Sequence, residues 1–234
     1  MNLFRITAEV WNDFLLNIFP AVCINCYTTL VRNEQYICSK CKIALPRTND
    51  YLDPTNRLFQ KFAYEPKVKH VSSFLDYNKH GIARKLIHSL KYRGEMDIGL
   101  MLGRIYGADL RKTGTLRPDI IFPVPLHHRK LKKRGYNQSE MIALGLSESL
   151  EVEVDTNILV RKTYTSTQTK KSRVSRWENV GNVFEVVSPE LLYNKRVMLV
   201  DDVLTTGATM GSLASQVAKC DVHEIYLVAM AAGS

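Results

Sequence analysis

Residues 197–209 read V-M-L-V-D-D-V-L-T-T-G-A-T. Four apolar residues in a row, 197–200, mark a short strand covered on both faces. Asp201 and Asp202 stand at its carboxyl end, followed by a small, hydroxyl-rich loop of Thr205, Thr206, Gly207, Ala208 and Thr209. Residues 208–219 then read as a helix. In open α/β sheets, ligands settle outside the carboxyl ends of strands. At a helix N-terminus the backbone N–H groups and the helix dipole favour a phosphate. Gly207 permits close backbone approach, and the Thr hydroxyls add donors. The two carboxylates suit hydroxyl donors such as ribose 2′- and 3′-OH, or a hard cation held through water. A carboxylate pair beside a monophosphate cradle fits a ribose 5-phosphate. The string is neither G-x-x-x-x-G-K-[ST] nor G-x-G-x-x-G. The plain alternative is a helix-capping turn with solvated acids.

Outward from this stretch the chain alternates. Residues 72–77, 119–124, 158–161 and 224–230 read as strands, and 82–92, 99–110 and 138–150 carry helical periodicity. Strands alternating with helices predict an α/β domain with a parallel sheet and right-handed crossovers. Residues 46–71 hold Pro46, Pro54 and Pro66 with little periodicity and read as a linker. The expected organisation is a small module over 1–50 and an α/β domain over 51–234.

In the small module, Cys23, Cys26, Cys38 and Cys41 form C-I-N-C and C-S-K-C pairs. Two such pairs on neighbouring turns can bring four thiolates to one tetrahedral Zn²⁺. With four protein ligands the site is structural, and metal binding contributes directly to folding a piece too small for its own core. Redox or disulfide pairs are the alternatives. Cys220 reads as a buried apolar residue rather than a nucleophile. Ahead of the cysteines, Trp11, Phe14, Leu15 and Ile18 fall on one helix face, while Glu9 and Asp13 interrupt any signal-peptide core. The reading is a docked helix in a cytoplasmic protein, with no membrane span.

The 234 residues carry a formal net charge of +9. The excess is clustered. Arg129, Lys130, Lys132, Lys133 and Arg134 lie in one acid-free segment; Arg161, Lys162, Lys170, Lys171, Arg173 and Arg176 lie in another, and both read as loops. A clustered excess calls for an anionic partner, either a sugar phosphate or nucleic acid. Tyr164 and Trp177 lie in or beside the second segment and could stack bases, although Trp177 also suits a packing anchor.

The 197–209 string resembles the phosphoribosyl pyrophosphate (PRPP) signature of type I phosphoribosyltransferases. The chain more closely resembles the ComF family of competence proteins. The matching pieces are the cysteine pairs, H-S-L-K-Y-R-G at 88–94, P-V-P-L-H-H-R-K-L-K-K-R-G-Y-N-Q-S-E at 123–140, R-K-T-Y-T-S-T-Q at 161–168 and R-W-E-N-V-G-N-V-F at 176–184. The resemblance implies a type I phosphoribosyltransferase fold with an N-terminal zinc module built on the four cysteines. It assigns Asp201 and Asp202 to the ribose and residues 205–209 to its 5-phosphate. Val124, Pro125, Leu126, His127 and Arg129 would hold the pyrophosphate. Gln168, Lys171, Arg173 and Arg176 would belong to a mobile loop closing over PRPP, and Mg²⁺ would accompany the diphosphate. Asn137 and Gln138 are site groups or caps. Lys130, Lys132, Lys133 and Arg134 exceed what one PRPP requires and are candidates for single-stranded DNA. Thr205 stands where purine-salvage enzymes carry an acid, so no nucleobase acceptor is specified. Two functions follow: a phosphoribosyltransferase of unknown acceptor, or a non-catalytic PRPP- and DNA-binding adaptor in DNA uptake, with a competence helicase as partner.

Overall fold

The computed structural model describes residues 20–77, 81–162 and 183–233. The amphipathic segment with Trp11, Phe14, Leu15 and Ile18 lies outside them, as do Gln168, Lys171, Arg173, Arg176, Tyr164 and Trp177.

Four parallel strands form the central sheet: β1 (Val68–Asp76), β2 (Ile120–Pro123), β5 (Arg196–Leu204) and β6 (Glu224–Ala232), in the spatial order β1-β6-β5-β2. A separate antiparallel pair joins β3 (Leu159–Arg161) to β4 (Phe184–Val186). β5 and β6 lie at the centre; β6 is buried from Ile225 to Ala232 and β5 from Val197 to Val200, as helices on both faces require. The helices are α1 (Ser39–Ile43), α2 (Arg57–Gln60), α3 (Ile82–Tyr92), α4 (Asp97–Thr113), α5 (His128–Arg134), α6 (Gln138–Leu150) and α7 (Ala208–Ala218). One apolar cluster, with Phe74, Leu86, Leu102, Tyr106, Leu146 and Met198, fills one face of the sheet. A second, with Phe122, Leu199, Leu213 and Val217, fills the other. Among the described residues no helix is long and apolar enough to cross a membrane.

Helices α3 and α6 begin and end where their periodicity places them, because each carries a continuous buried face. Three readings change. Residues 46–71 are not a featureless linker. They hold a 3₁₀ turn (Asp50–Leu52), α2 and the first residues of β1. These elements are too short to show a period. α2 depends on Asn56, whose side chain accepts from the Leu58 and Phe59 amides and donates to the Val71 carbonyl. The acidic pair does not end β5; pairing continues to Leu204, opposite Ala232. The segment carrying Arg129 to Arg134 is a short helix rather than a loop, capped at its N-terminus by His127 and at its C-terminus by Gly135.

The cysteine segment does not stand apart from the sheet domain. Cys23, Ile37, Cys38, Cys41 and Leu45 share the first apolar cluster with Phe74 and Leu75 of β1. The Asp76 amide donates to the Pro46 carbonyl, and Arg47 pairs with Leu75 in an isolated antiparallel bridge. Cys220 is half-buried at the edge of the second cluster.

Candidate functional site

The site forms where β5 and β2 stop running together. Pro123 pairs with Val200, and the Val124 amide donates to the Val200 carbonyl at 2.8 Å. The next residues of the two strands are the 124–127 loop on one side and Asp201-Asp202 on the other. The sheet therefore sets the 124–127 loop beside the acidic pair. This is the carboxyl edge that α/β sheets use for ligands.

Asn137 and Ser139 knit this edge to α6. Asn137 caps α6 by accepting from the Ser139 amide at 3.1 Å, and its Nδ2 donates to the Val124 carbonyl at 3.1 Å. Asn137 is thus a cap that also holds the loop. Gln138 is buried and accepts from Arg134 at 2.6 Å. The Ser139 hydroxyl donates to Asp201 Oδ1 at 3.0 Å, and the Asp202 amide donates to the same oxygen at 2.8 Å. Helix α6 is held against α4 by close backbone approach at Gly103 and Gly145, where a Cβ would collide with the facing helix.

Two adjacent carboxylates repel, and the structure answers with Lys91. Its ammonium lies 2.9 Å from Asp202 Oδ1, with both side chains largely withdrawn from solvent. Burial, and then the charge of Asp202, push Asp201 up to about 7. The pair therefore holds a proton near neutrality and would lose it to solvent as a cation or a donor-rich ligand takes its place. Sequence alone assigns no role to Lys91 or Ser139. Their one signal is membership of the H-S-L-K-Y-R-G and Y-N-Q-S-E blocks, which do not show what either side chain touches.

After β5 the chain turns through Thr205 and Thr206 to Gly207, at φ 83°, and enters α7. Asp201 and residues 203–210 line a small recess here. Thr205, Thr206, Ala208 and Thr209 are exposed, so their amides and hydroxyls are open to a ligand. The segment after α2 supports this loop from beneath. A Cβ on Gly207 would sit 2.8 Å from Phe62 Cζ, and Lys61 Nζ approaches the Thr205 carbonyl at 3.4 Å. Gly207→Ala should therefore destabilise by about 1–2 kcal/mol, combining a left-handed backbone with the Phe62 clash. Thermal denaturation checks this; an unchanged midpoint would show that the turn is not under this constraint.

Of the pyrophosphate candidates, Val124 is buried, and Pro125, Leu126 and His127 are half-buried at the edge. The His127 ring accepts from the Arg129 amide at 3.2 Å and lies against His128. Arg129, Lys130, Lys132 and Lys133 are exposed on α5. Arg134 differs from them. It donates to Gln138 and lies over the Tyr92 ring, so it joins α5 to α3 and α6.

In the cysteine segment, the sulfurs of Cys23, Cys26, Cys38 and Cys41 all lie within 4.8 Å of one another. Four thiolates on Zn²⁺ at about 2.3 Å would stand ~3.8 Å apart, so the cluster fits a tetrahedral zinc. None of the four is in a disulfide. The hydroxyl and amide of Thr28 push the Cys26 thiol down to about 6, toward the thiolate a metal needs. Asn25 Nδ2 donates to Cys41 Sγ at 3.4 Å, the kind of outer contact that orients a ligand.

The domain model described as "Phosphoribosyl transferase domain" matches residues 137–234, which contain α6, β5, the acidic pair and the Thr-Gly loop. Fold and match together define a domain of the type I phosphoribosyltransferase class. A "DNA utilization protein YhgH" of Shigella flexneri is 32% identical over 211 residues, covering 83% of this chain and 89% of that protein. "Competence protein F" of Haemophilus influenzae is 36% identical over 151 residues, 62% of this chain and 66% of that protein. The chain belongs to the ComF family. Among solved structures, a Bacillus subtilis glutamine PRPP amidotransferase aligns at 18% identity and a TM-score of 0.44, over 61% of this chain and 30% of that one.

Proposed function

We propose that the protein binds PRPP at the carboxyl edge of β5 and acts on the cytoplasmic side in the uptake and use of incoming DNA; its relatives are named for DNA utilization and competence. The observation that carries the reading is the Val124–Val200 hydrogen bond. It brings the 124–127 loop to the edge of β5 that also carries Asp201, Asp202 and the 205–209 turn, which supports this reading. Residues 205–209 take the 5-phosphate, Asp201 and Asp202 take the ribose hydroxyls, and residues 124–127 with Arg129 take the diphosphate. Asp201 and Asp202, together with the diphosphate, would hold Mg²⁺, which would neutralise charge on the leaving group. Lys91 moves its charge from Asp202 toward the diphosphate as the ligand arrives. Ser139 holds Asp201 oriented throughout. Displacement of pyrophosphate at ribose C1 by a nucleophile would build positive charge on the sugar, which the fixed carboxylates stabilise.

A second reading, a non-catalytic adaptor that also binds single-stranded DNA, draws on the exposed Lys130, Lys132 and Lys133 of α5. Its binding would fall steeply with salt as counterions are released.

One titration series tests both. PRPP with Mg²⁺ should bind the wild type saturably, and Asp202→Asn should lose at least tenfold, about 1.4 kcal/mol. Equal binding by the variant would remove the acidic pair from the site. Pyrophosphate released on addition of an acceptor would establish catalysis. Salt-sensitive oligonucleotide binding that survives Asp202→Asn would favour the adaptor.

A further inference from the structure

A second recess lies at the seam between the cysteine module and α3, built from residues that precede the matched phosphoribosyltransferase region. Its volume is about 480 Å³, within the range of small-ligand sites. Ile24 and Tyr27 of the first cysteine knuckle form one wall; Lys85 and His88 of α3, with Arg93 and Glu95 just beyond it, form the other. Three features of this recess point to one ligand chemistry. The basic groups Lys85, His88 and Arg93 outnumber the single acid Glu95, which suits a phosphate. Tyr27 is 70% exposed, with Lys85 Nζ over its ring at 5.4 Å from the centre. Every nucleobase has a flat π-face that such a ring can stack on. Finally, Glu95 Oε2 is buried with no hydrogen-bond partner. A buried acceptor left unsatisfied is costly, and a turn of this carboxyl into the recess it lines would let a ligand N–H recover that loss.

We propose that this recess binds a nucleoside monophosphate. The phosphate lies among Lys85, His88 and Arg93, the base stacks on Tyr27, and a base N–H donates to Glu95. The wall is also tied to the cysteine cluster. Lys85 Nζ donates to the Asn25 carbonyl at 2.9 Å, and Asn25 in turn donates to Cys41 Sγ. Loss of the metal therefore disturbs the recess as well as the module.

The test is calorimetric titration of the full chain with AMP, GMP, ribose 5-phosphate and inorganic phosphate. AMP or GMP should bind one-to-one and at least tenfold more tightly than ribose 5-phosphate. Arg93→Glu, at an exposed position, should weaken AMP at least tenfold with an unchanged melting temperature. Tyr27→Ala should bring AMP down to the affinity of ribose 5-phosphate. Thr206→Val in the PRPP loop should leave AMP binding unchanged, so failure here and failure of the PRPP assignment are read separately. A short single-stranded oligonucleotide that competes with AMP shows the nucleotide taken from a strand; no competition shows it taken free. The proposal is overturned by the absence of saturable AMP or GMP binding, by equal binding of ribose 5-phosphate, or by AMP binding that follows Thr206→Val instead of Arg93→Glu.

Discussion

We propose that Cys23, Cys26, Cys38 and Cys41 hold a zinc ion, and stripping it should unfold more than the cysteine module. Structural zinc sites of this ligand set contribute on the order of 10 kcal/mol of binding free energy, comparable to the whole stability of a domain. Here three of the four ligands, Cys23, Cys38 and Cys41, belong to the apolar cluster that includes Leu75, Leu86 and Met198. Without a metal, four sulfurs within 4.8 Å have no reason to stay together once ionised, and Ile37 and Leu45 lose the frame that holds them on β1. The protein as purified should contain close to one zinc per chain by elemental analysis. A strong chelator should lower the melting temperature by more than about 10 °C, given the few degrees that each kcal/mol shifts a domain of this size. Cys38→Ser should do the same without chelator. A zinc ratio near zero together with an unshifted melting temperature would overturn the assignment.

Asp201→Asn should act in opposite directions on stability and on binding. The carboxyl of Asp201 titrates near 7 in the folded protein because burial and Asp202 oppose its charge. Its unfolded value is about 3.9. A folded pKa above the unfolded one means that the folded state holds the extra proton. This contribution is fully present below about pH 4 and is lost as pH rises to about 7. The wild type should therefore lose stability across that window. The variant should lack this slope and be more stable at pH 8 by roughly 2 kcal/mol, less than the full shift because an amide oxygen accepts from Ser139 and the Asp202 amide more weakly than a carboxylate does. At the same time PRPP binding with Mg²⁺ should fall at least tenfold, since a neutral amide cannot take a ribose hydroxyl and a cation as a carboxylate does. Melting curves from pH 5 to 8, paired with PRPP titrations, read both effects. Parallel slopes in the two proteins would show that Asp201 is not the strained group. Such a site, less stable for being ready to bind, is a common exchange of stability for function.

How much of this is legible in the chain depends on the length scale of each feature. The C-x-x-C pairs, the helices 82–92 and 138–150, and the strand–acid–Thr loop string are local patterns, with period and spacing visible within a dozen or so residues. They are enough for the parallel sheet, the cysteine cluster and an acidic pair late in a buried strand, though β5 runs on past the pair to Leu204. Residues 46–71 conceal their elements because α2 is a single turn held by Asn56 and by contact with β1, and no period can appear in four residues. The 128–134 helix is hidden for a related reason: its seven residues bury nothing, so no apolar face announces it.

The order of residues thus settles which chemistry is available: carboxylates, hydroxyls, a turning glycine and four thiols, each defined by its covalent neighbours. Their partners come from the folded chain alone. Lys91 reaches Asp202, Ser139 reaches Asp201, Phe62 underlies Gly207, and the cysteine knuckle closes a recess with α3. Each of these pairs joins residues far apart in the chain. They meet because the strand order β1-β6-β5-β2 returns separate crossovers to one sheet, and a charge left alone there would be costly.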